Sequence, residues 1–153
     1  MEYVEGFMGS APDHDAIIQP AGGSRMPASR ETVDRGDHCL KMDGKRTFKF
    51  AVRTFADLVQ RSVADRGGLE ALGIVVPHQM NQRIIEAAAE RLDLPIDRFF
   101  SNVADFGNTS AASIPIAMQG AKESGRFAEV SGKLACMCAF GSGLSFGYFL
   151  LRV

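Results

Sequence analysis

Cysteine is scarce in this chain, and what there is falls in no useful pattern. Cys39, Cys136 and Cys138 make neither a metal-ligand spacing nor a disulfide framework, so no metal centre is expected and a reducing cytoplasm is the expected compartment. Charge of one sign is also lacking. Lys and Arg total 17 against 18 Asp and Glu, a net charge of −1, which gives no electrostatic case for nucleic acid or a membrane surface as the main partner. No apolar stretch approaches a bilayer span, and the opening "MEYVEGFMGS" lacks the basic and apolar regions of a signal peptide. Internal repeats and low-complexity tracts are missing as well. What remains is 153 residues, 46% hydrophobic and 23% charged, enough for one domain with a real core.

What is present alternates between strand-like and helix-like segments. "YVEGFMGS" reads as a short strand, and "IIQPAGGSRMPASRET" as a turn-rich surface connection in which Gly22 and Gly23 permit positive φ while Pro20 and Pro27 break any helix. Asp43 can cap a helix from about Gly44 to Asp65. Its stripe is Phe48, Ala51, Val52, Phe55, Leu58, Val59 and Val63, and Gly67 and Gly68 end it. "LGIVV" is a short strand of the kind buried on both faces, closed by Pro77. "NQRIIEAAAERL" follows as a second amphipathic helix with Ile84, Ile85, Ala88 and Leu92 inward. After Arg98 come a short strand, a polar turn and a third helix from about Ser110, bent at Pro115. "KLACMCAF" and "SFGYFLLRV" are strands around "GSG", joined either as a hairpin or by a loop shaped for a site. The pattern predicts an α/β layered fold with a mixed sheet. The third helix is small or apolar on every side of its first turns, so it needs cover from a second half or a partner.

Sites in α/β folds collect just beyond strand ends, where a rigid scaffold presents a turning chain. Two such points carry polar groups. In "PHQMN", His78 follows a buried strand and precedes Asn81; in "DFGNTSAAS", Asn108 follows Gly107 in a tight turn before a helix. A neutral imidazole and a carboxamide both donate without carrying charge, and two such donors on one oxygen would stabilise developing negative charge. Taken singly, His78 also reads as a partly buried space-filler, Asn108 as a helix N-cap and Gly141–Ser142–Gly143 as a plain turn.

Five segments, "PAGGSRMPAS", "MDGKRTFKFAVR", "VVPHQMNQRII", "FGNTSAASIPIA" and "AFGSGLSFGYFLLR", resemble in order and spacing the C-terminal half of the β-ketoacyl-acyl-carrier-protein synthase III family, condensing enzymes of the thiolase-like superfamily. The resemblance runs from about Gly6 to Val153. It implies a single C-terminal domain over 1–153, with strand, loop and long helix in about 1–70 and the motif-bearing core in 71–153. That domain would be a thiolase-like half, packed against a similar N-terminal half. It also implies a decarboxylative condensation in fatty acid biosynthesis: malonyl-carrier protein loses carbon dioxide, and its enolate attacks an acyl group held on a cysteine. His78 and Asn108 would hold the enolate oxygen, at roughly 2.7–4 kcal/mol apiece. Phe140, Gly141, Ser142 and Gly143 match the loop whose backbone N–H holds the acyl thioester oxygen, although the middle glycine is here Ser142, which puts the loop's shape in question. Gly44, Phe48, Met80, Asn81 and Arg83 match the pantetheine channel and its mouth, where Met80 stands in place of the alanine of many relatives. Lys49 and Arg83 match a basic rim for the acidic carrier protein.

The family nucleophile lies upstream of everything in this sequence. Cys136 and Cys138 share one face of a strand and read as core, and Cys39 has no basic partner, so none qualifies as a reactive thiolate. The resemblance therefore implies an acyltransferase that is inactive as an isolated chain. Its partners would be acyl-carrier protein, acyl-CoA and malonyl-carrier protein, and a half supplying the cysteine, with a homodimer in the full-length form. Thioesters of CoA or carrier-protein phosphopantetheine would be substrates, and no cofactor is expected. Two alternatives stay open: a non-catalytic carrier- or pantetheine-binding half or truncated remnant, and a polyketide or secondary-metabolite ketosynthase.

Overall fold

The computed structural model describes all 153 residues. In chain order its strands are β1 (Glu2–Ser10), β2 (Ile17–Ile18), β3 (Lys41–Met42), β4 (Leu72–Pro77), β5 (Leu134–Gly141) and β6 (Ser145–Arg152). Its helices are α1 (Arg30–Asp34), α2 (Gly44–Val63), α3 (Gln82–Arg91), α4 (Val103–Phe106), α5 (Ser113–Glu123) and α6 (Arg126–Glu129). Four strands form one mixed sheet in the order β1-β6-β5-β4, and β2 and β3 form a separate two-stranded ribbon. β4 and β5 run parallel, while β6 is antiparallel to both its neighbours. Phe99 adds an isolated parallel bridge to Val75 on the outer side of β4.

The period of two along β5 divides its side chains between two apolar layers. Leu134, Cys136, Cys138 and Phe140 join the core under α2 and α3, while Ala135 and Met137 join a smaller one under α5 and α6. All six residues of β4 are buried although it ends the four-stranded order, because apolar layers cover both its faces. Its alternation slips at Gly73, where the register against β5 shifts. Leu72 and Val75 therefore both reach the larger core, and Ile74 and Val76 the smaller. Cys136 and Cys138 are core residues, and the side-chain hydrogen bond with Cys136, together with burial, pushes the Cys138 thiol well up. A thiol held protonated in this way is a packing group rather than a nucleophile.

α2 starts at Asp43, whose carboxylate accepts the Arg46 N–H at 3.0 Å, and it buries Ala51, Phe55, Leu58, Val59 and Val63 against the sheet. Burying each of the larger of these contributes roughly 1.5–3 kcal/mol. Two residues of the expected stripe depart from it: Val52 is half-buried, and Phe48 is 37% exposed at the helix start. α3 starts at Asn81, whose Oδ1 accepts the Arg83 N–H at 3.0 Å, and it buries Ile84, Ile85, Ala88 and Ala89.

Four expectations need correction. The short strand expected after Arg98 is no more than the single Phe99 bridge, and α4 follows it. The segment expected to be plain connection contains β2 and α1, the latter started by a Ser29–Thr32 capping box. The third α-helix begins at Ser113, not Ser110, because residues 110–112 form a tighter 3₁₀ turn. Pro115 is consequently the third residue of α5, where the N–H has no partner in any helix, so no hydrogen bond is lost. The face of this helix opposite Ala117 and Ala121 is uncovered: Ala111, Ala112 and Pro115 are exposed. No helix is long and apolar enough to cross a membrane.

Candidate active site

β4 and β5 are parallel, and their C-terminal ends open on a cavity of about 610 Å³. The turn after β4 supplies His78, Met80 and Asn81, and the end of β5 supplies Phe140, Gly141 and Ser142. Asn108 and Ser110 enter from the segment before α5, Gly44, Thr47 and Phe48 from the start of α2, and Ile17, Leu40 and Met42 from the ribbon. Of the residues singled out in the sequence, Gly143, Lys49 and Arg83 do not line it. Lys49 and Arg83 are exposed and form no ion pair, and Gly143 completes the hairpin turn from behind. No cysteine reaches the cavity, and nowhere do three His, Cys, Asp or Glu side chains converge so as to hold a metal ion.

His78 is held in place from its backbone outward. Its N–H donates to the Cys138 carbonyl at 2.8 Å, extending the parallel ladder one residue past β4, and its carbonyl accepts the Met80 N–H at 3.0 Å. The imidazole stands edge-on to Phe140, 6.3 Å between centroids, and Phe140 is itself locked edge-on against Phe55 at 5.2 Å. Burial lowers the His78 pKa below its ordinary 6.5, so the ring is neutral near pH 7. Nδ1 lies 2.5 Å from the Ser113 hydroxyl, which leaves Nε2 as the ring nitrogen without a protein partner.

Gln79, beside it, escaped the sequence reading. Its side chain is buried and ties together the turn after β4 and the chain after Phe99. Nε2 donates to the carbonyls of Pro77 at 2.7 Å and Phe100 at 3.2 Å, while Oε1 accepts the Asn102 N–H at 2.9 Å. A buried amide leaving none of these groups unpaired fixes the turn that presents His78. Ser113, also missed, is 2% exposed. The only trace of either in the sequence is a polar residue inside an otherwise packed segment.

Asn108 sits in a strained turn. Gly107 has φ 65° and ψ −159°, a region open in practice to glycine alone, and Ser110 has φ 54°. The Asn108 Oδ1 accepts the Ser110 N–H at 2.9 Å, so the turn-forming role and the donor role coexist: the oxygen closes the turn and the amide N–H₂ stays uncommitted. The question of loop shape at Ser142 also has an answer. In the 141–143 turn it is Gly143 that takes positive φ, 73°, so a serine in the middle position bears no left-handed strain.

On the α5 side, His78, Ser110, Phe140 and Gly141 also border a second depression, of about 330 Å³, with Met8, Ala111, Ile114 and Phe146. The imidazole therefore stands between two openings.

Comparison with known proteins gives the chain's relatives. The family model for the C-terminal part of 3-oxoacyl-[acyl-carrier-protein] synthase III matches residues 66–153. β-Ketoacyl-[acyl-carrier-protein] synthase III of Syntrophomonas wolfei is 39% identical over 145 residues, 94% of this chain but 42% of that protein. The same enzyme of Caldanaerobacter subterraneus is 43% identical over 138 residues, 89% of this chain and 41% of the relative. The crystal structure of 3-oxoacyl-(acyl carrier protein) synthase III from Pseudomonas aeruginosa superposes with a TM-score of 0.80 at 36% identity, covering 96% of this chain and 43% of the other. The chain thus spans about two fifths of the length of the relatives it matches, in their C-terminal part. By the family match over more than half of its residues and by these identities, it belongs to the β-ketoacyl-acyl-carrier-protein synthase III family.

Proposed function

We propose that this chain supplies the decarboxylation half of a 3-oxoacyl-acyl-carrier-protein synthase III site. The observation that carries the reading is the meeting of His78, Asn108 and the Phe140–Ser142 turn on one cavity beyond the ends of two parallel strands. A malonyl thioester in that cavity loses its terminal carboxylate as carbon dioxide, and the bonding pair becomes an enolate with negative charge on the thioester oxygen. Nε2–H of His78 and the amide of Asn108 donate to that oxygen, and as neutral donors they gain most when charge develops. The enolate carbon then attacks an acyl thioester carbonyl on a cysteine. A carbon–carbon bond forms, the cysteine thiolate leaves, and the 3-oxoacyl product stays on its carrier. The reading calls for no resident cofactor.

The cysteine must come from another polypeptide or another part of a longer one. Supporting this are the second depression beside His78, the exposed Ala111, Ala112 and Pro115 next to it, and the share of relatives' length that the chain spans. The carrier protein's phosphopantetheine would enter past Gly44, Phe48, Met80 and Asn81. Unpaired Lys49 and Arg83 would meet its acidic surface outside the cavity.

The test is co-expression with a cysteine-bearing N-terminal half and an assay with malonyl-carrier protein. The chain alone gives no condensation, and the pair does. His78→Ala or Asn108→Ala in the pair lowers decarboxylation by about 10²–10³ each. Robust condensation by the purified chain alone, or undiminished decarboxylation in both variants, rejects the reading.

A further inference from the structure

Ser113 is the first residue of α5 and lies 35 positions from His78, yet its hydroxyl is 2.5 Å from His78 Nδ1. The same oxygen accepts the backbone N–H of Gln79 at 3.3 Å, and it has no third partner. Matching donors to acceptors decides the proton positions. A hydroxyl has one proton to give and two lone pairs to receive. If Nδ1 carried the imidazole proton, the Ser113 oxygen would receive two N–H groups while its own proton, on a residue 2% exposed, would have no protein acceptor. If Nδ1 is bare, every group is used: Gln79 N–H donates to Oγ, and Oγ–H donates to Nδ1.

We infer that Ser113 is a positioning residue which sets the tautomer of His78, holding Nδ1 as an acceptor so that the ring's single N–H is on Nε2, free toward the cavity. Without it the ring can rotate or exchange tautomers, and a bare Nε2 would repel a developing oxyanion rather than bind it. The helix start is a suitable place for such a hydroxyl, because the first residue of a helix is fixed by the turns behind it and its side chain is not drawn into the interior ladder. Burial keeps the ring neutral near pH 7, which is the condition under which the choice between two nitrogens has meaning. The inference takes its functional sense from the oxyanion reading above, but its structural claim stands without substrate.

The experiment uses the full chain with ¹⁵N-labelled histidine and long-range ¹H–¹⁵N correlations at about pH 8, where an ordinary histidine is neutral. Wild-type His78 is expected to show an unprotonated Nδ1 and a protonated Nε2. Ser113→Ala raises the Nδ1–H share several-fold, and Ser113→Thr, which keeps the hydroxyl, returns it to the wild-type value. In the reconstituted pair Ser113→Ala lowers kcat for decarboxylation about tenfold with KM little changed, and Ser113→Thr restores it. A wild-type ring protonated at Nδ1 overturns the inference even if Ser113→Ala does not fold. So does a tautomer ratio that Ser113→Ala leaves unmoved. A ratio that shifts as expected with kcat unaltered upholds the role of Ser113 and instead removes His78 from the chemistry.

Discussion

The hydroxyl of Ser142, in the turn of the β5–β6 hairpin, donates to the carbonyl of Ile17 at 3.2 Å. This contact, across 125 residues, ties the turn that edges the cavity to the ribbon that forms the opposite wall. The bond is exposed, so its loss costs little stability, about 0.5–1.5 kcal/mol at most. Gly143 is different: its φ of 73° belongs to the left-handed region. Gly143→Ala is expected to cost roughly 1–2 kcal/mol, more than Ser142→Ala. Urea unfolding of the two variants checks the order, and equal midpoints would show that the turn relaxes freely.

His78 couples stability to pH. Its folded pKa lies below 6.5 because burial disfavours the charged ring, so below pH 6.5 the unfolded chain binds more protons than the folded one. The contribution is therefore present above that value and is lost as pH falls from 6.5 through the lower folded pKa. His78→Gln, neutral throughout, removes it. Between pH 7 and pH 5 the wild type should lose more stability than His78→Gln, a comparison in which the carboxylates of Glu5 and Asp37, also lowered, cancel. An NMR midpoint for His78 at or above 6.5 would contradict the burial argument.

Much of this architecture was legible because its periods are long enough to read. α2 repeats its apolar positions over five turns, and β4 is an uninterrupted apolar run closed by a proline, so both emerge from the sequence within a residue or two. β2, β3 and α1 did not, since two-residue strands exist through pairing with distant chain and a five-residue helix is too short to show a period. The donors His78 and Asn108 were legible as polar groups at strand and helix ends. Gln79 and Ser113 were not, because their partners, Asn102 and His78, lie 23 and 35 residues away and only the folded sheet brings them together. Of the order β1-β6-β5-β4, only the β5–β6 hairpin has a sequence signal.

Gly73 offers a packing test of the slip in β4. A Cβ there would stand 2.5 Å from Cβ of Val130 and 3.0 Å from Cβ of Lys133. Neither atom is the far end of a flexible chain, so Gly73→Ala should cost about 1–3 kcal/mol through overpacking. Val130→Gly in the same chain, which removes the nearer of those two Cβ atoms, should recover part of that loss, and a double-mutant cycle measures the coupling. A fully stable Gly73→Ala, or zero coupling, would mean that the bulge and not the space selects glycine.

The uncovered flank of α5 can be tested without any enzymology. Ala112 is exposed here, so Ala112→Arg should change the stability of the chain itself by no more than about 0.5 kcal/mol. If the cysteine-bearing half covers that flank, the same arginine becomes a buried charge with no partner, and association should weaken at least tenfold. Glu90→Arg on the exposed side of α3 is the control and should associate as the wild type does. Sedimentation of each variant mixed with the partner half reads both effects. Wild-type association by Ala112→Arg would move the interface elsewhere on the chain, and with it the direction from which a sulfur could approach His78.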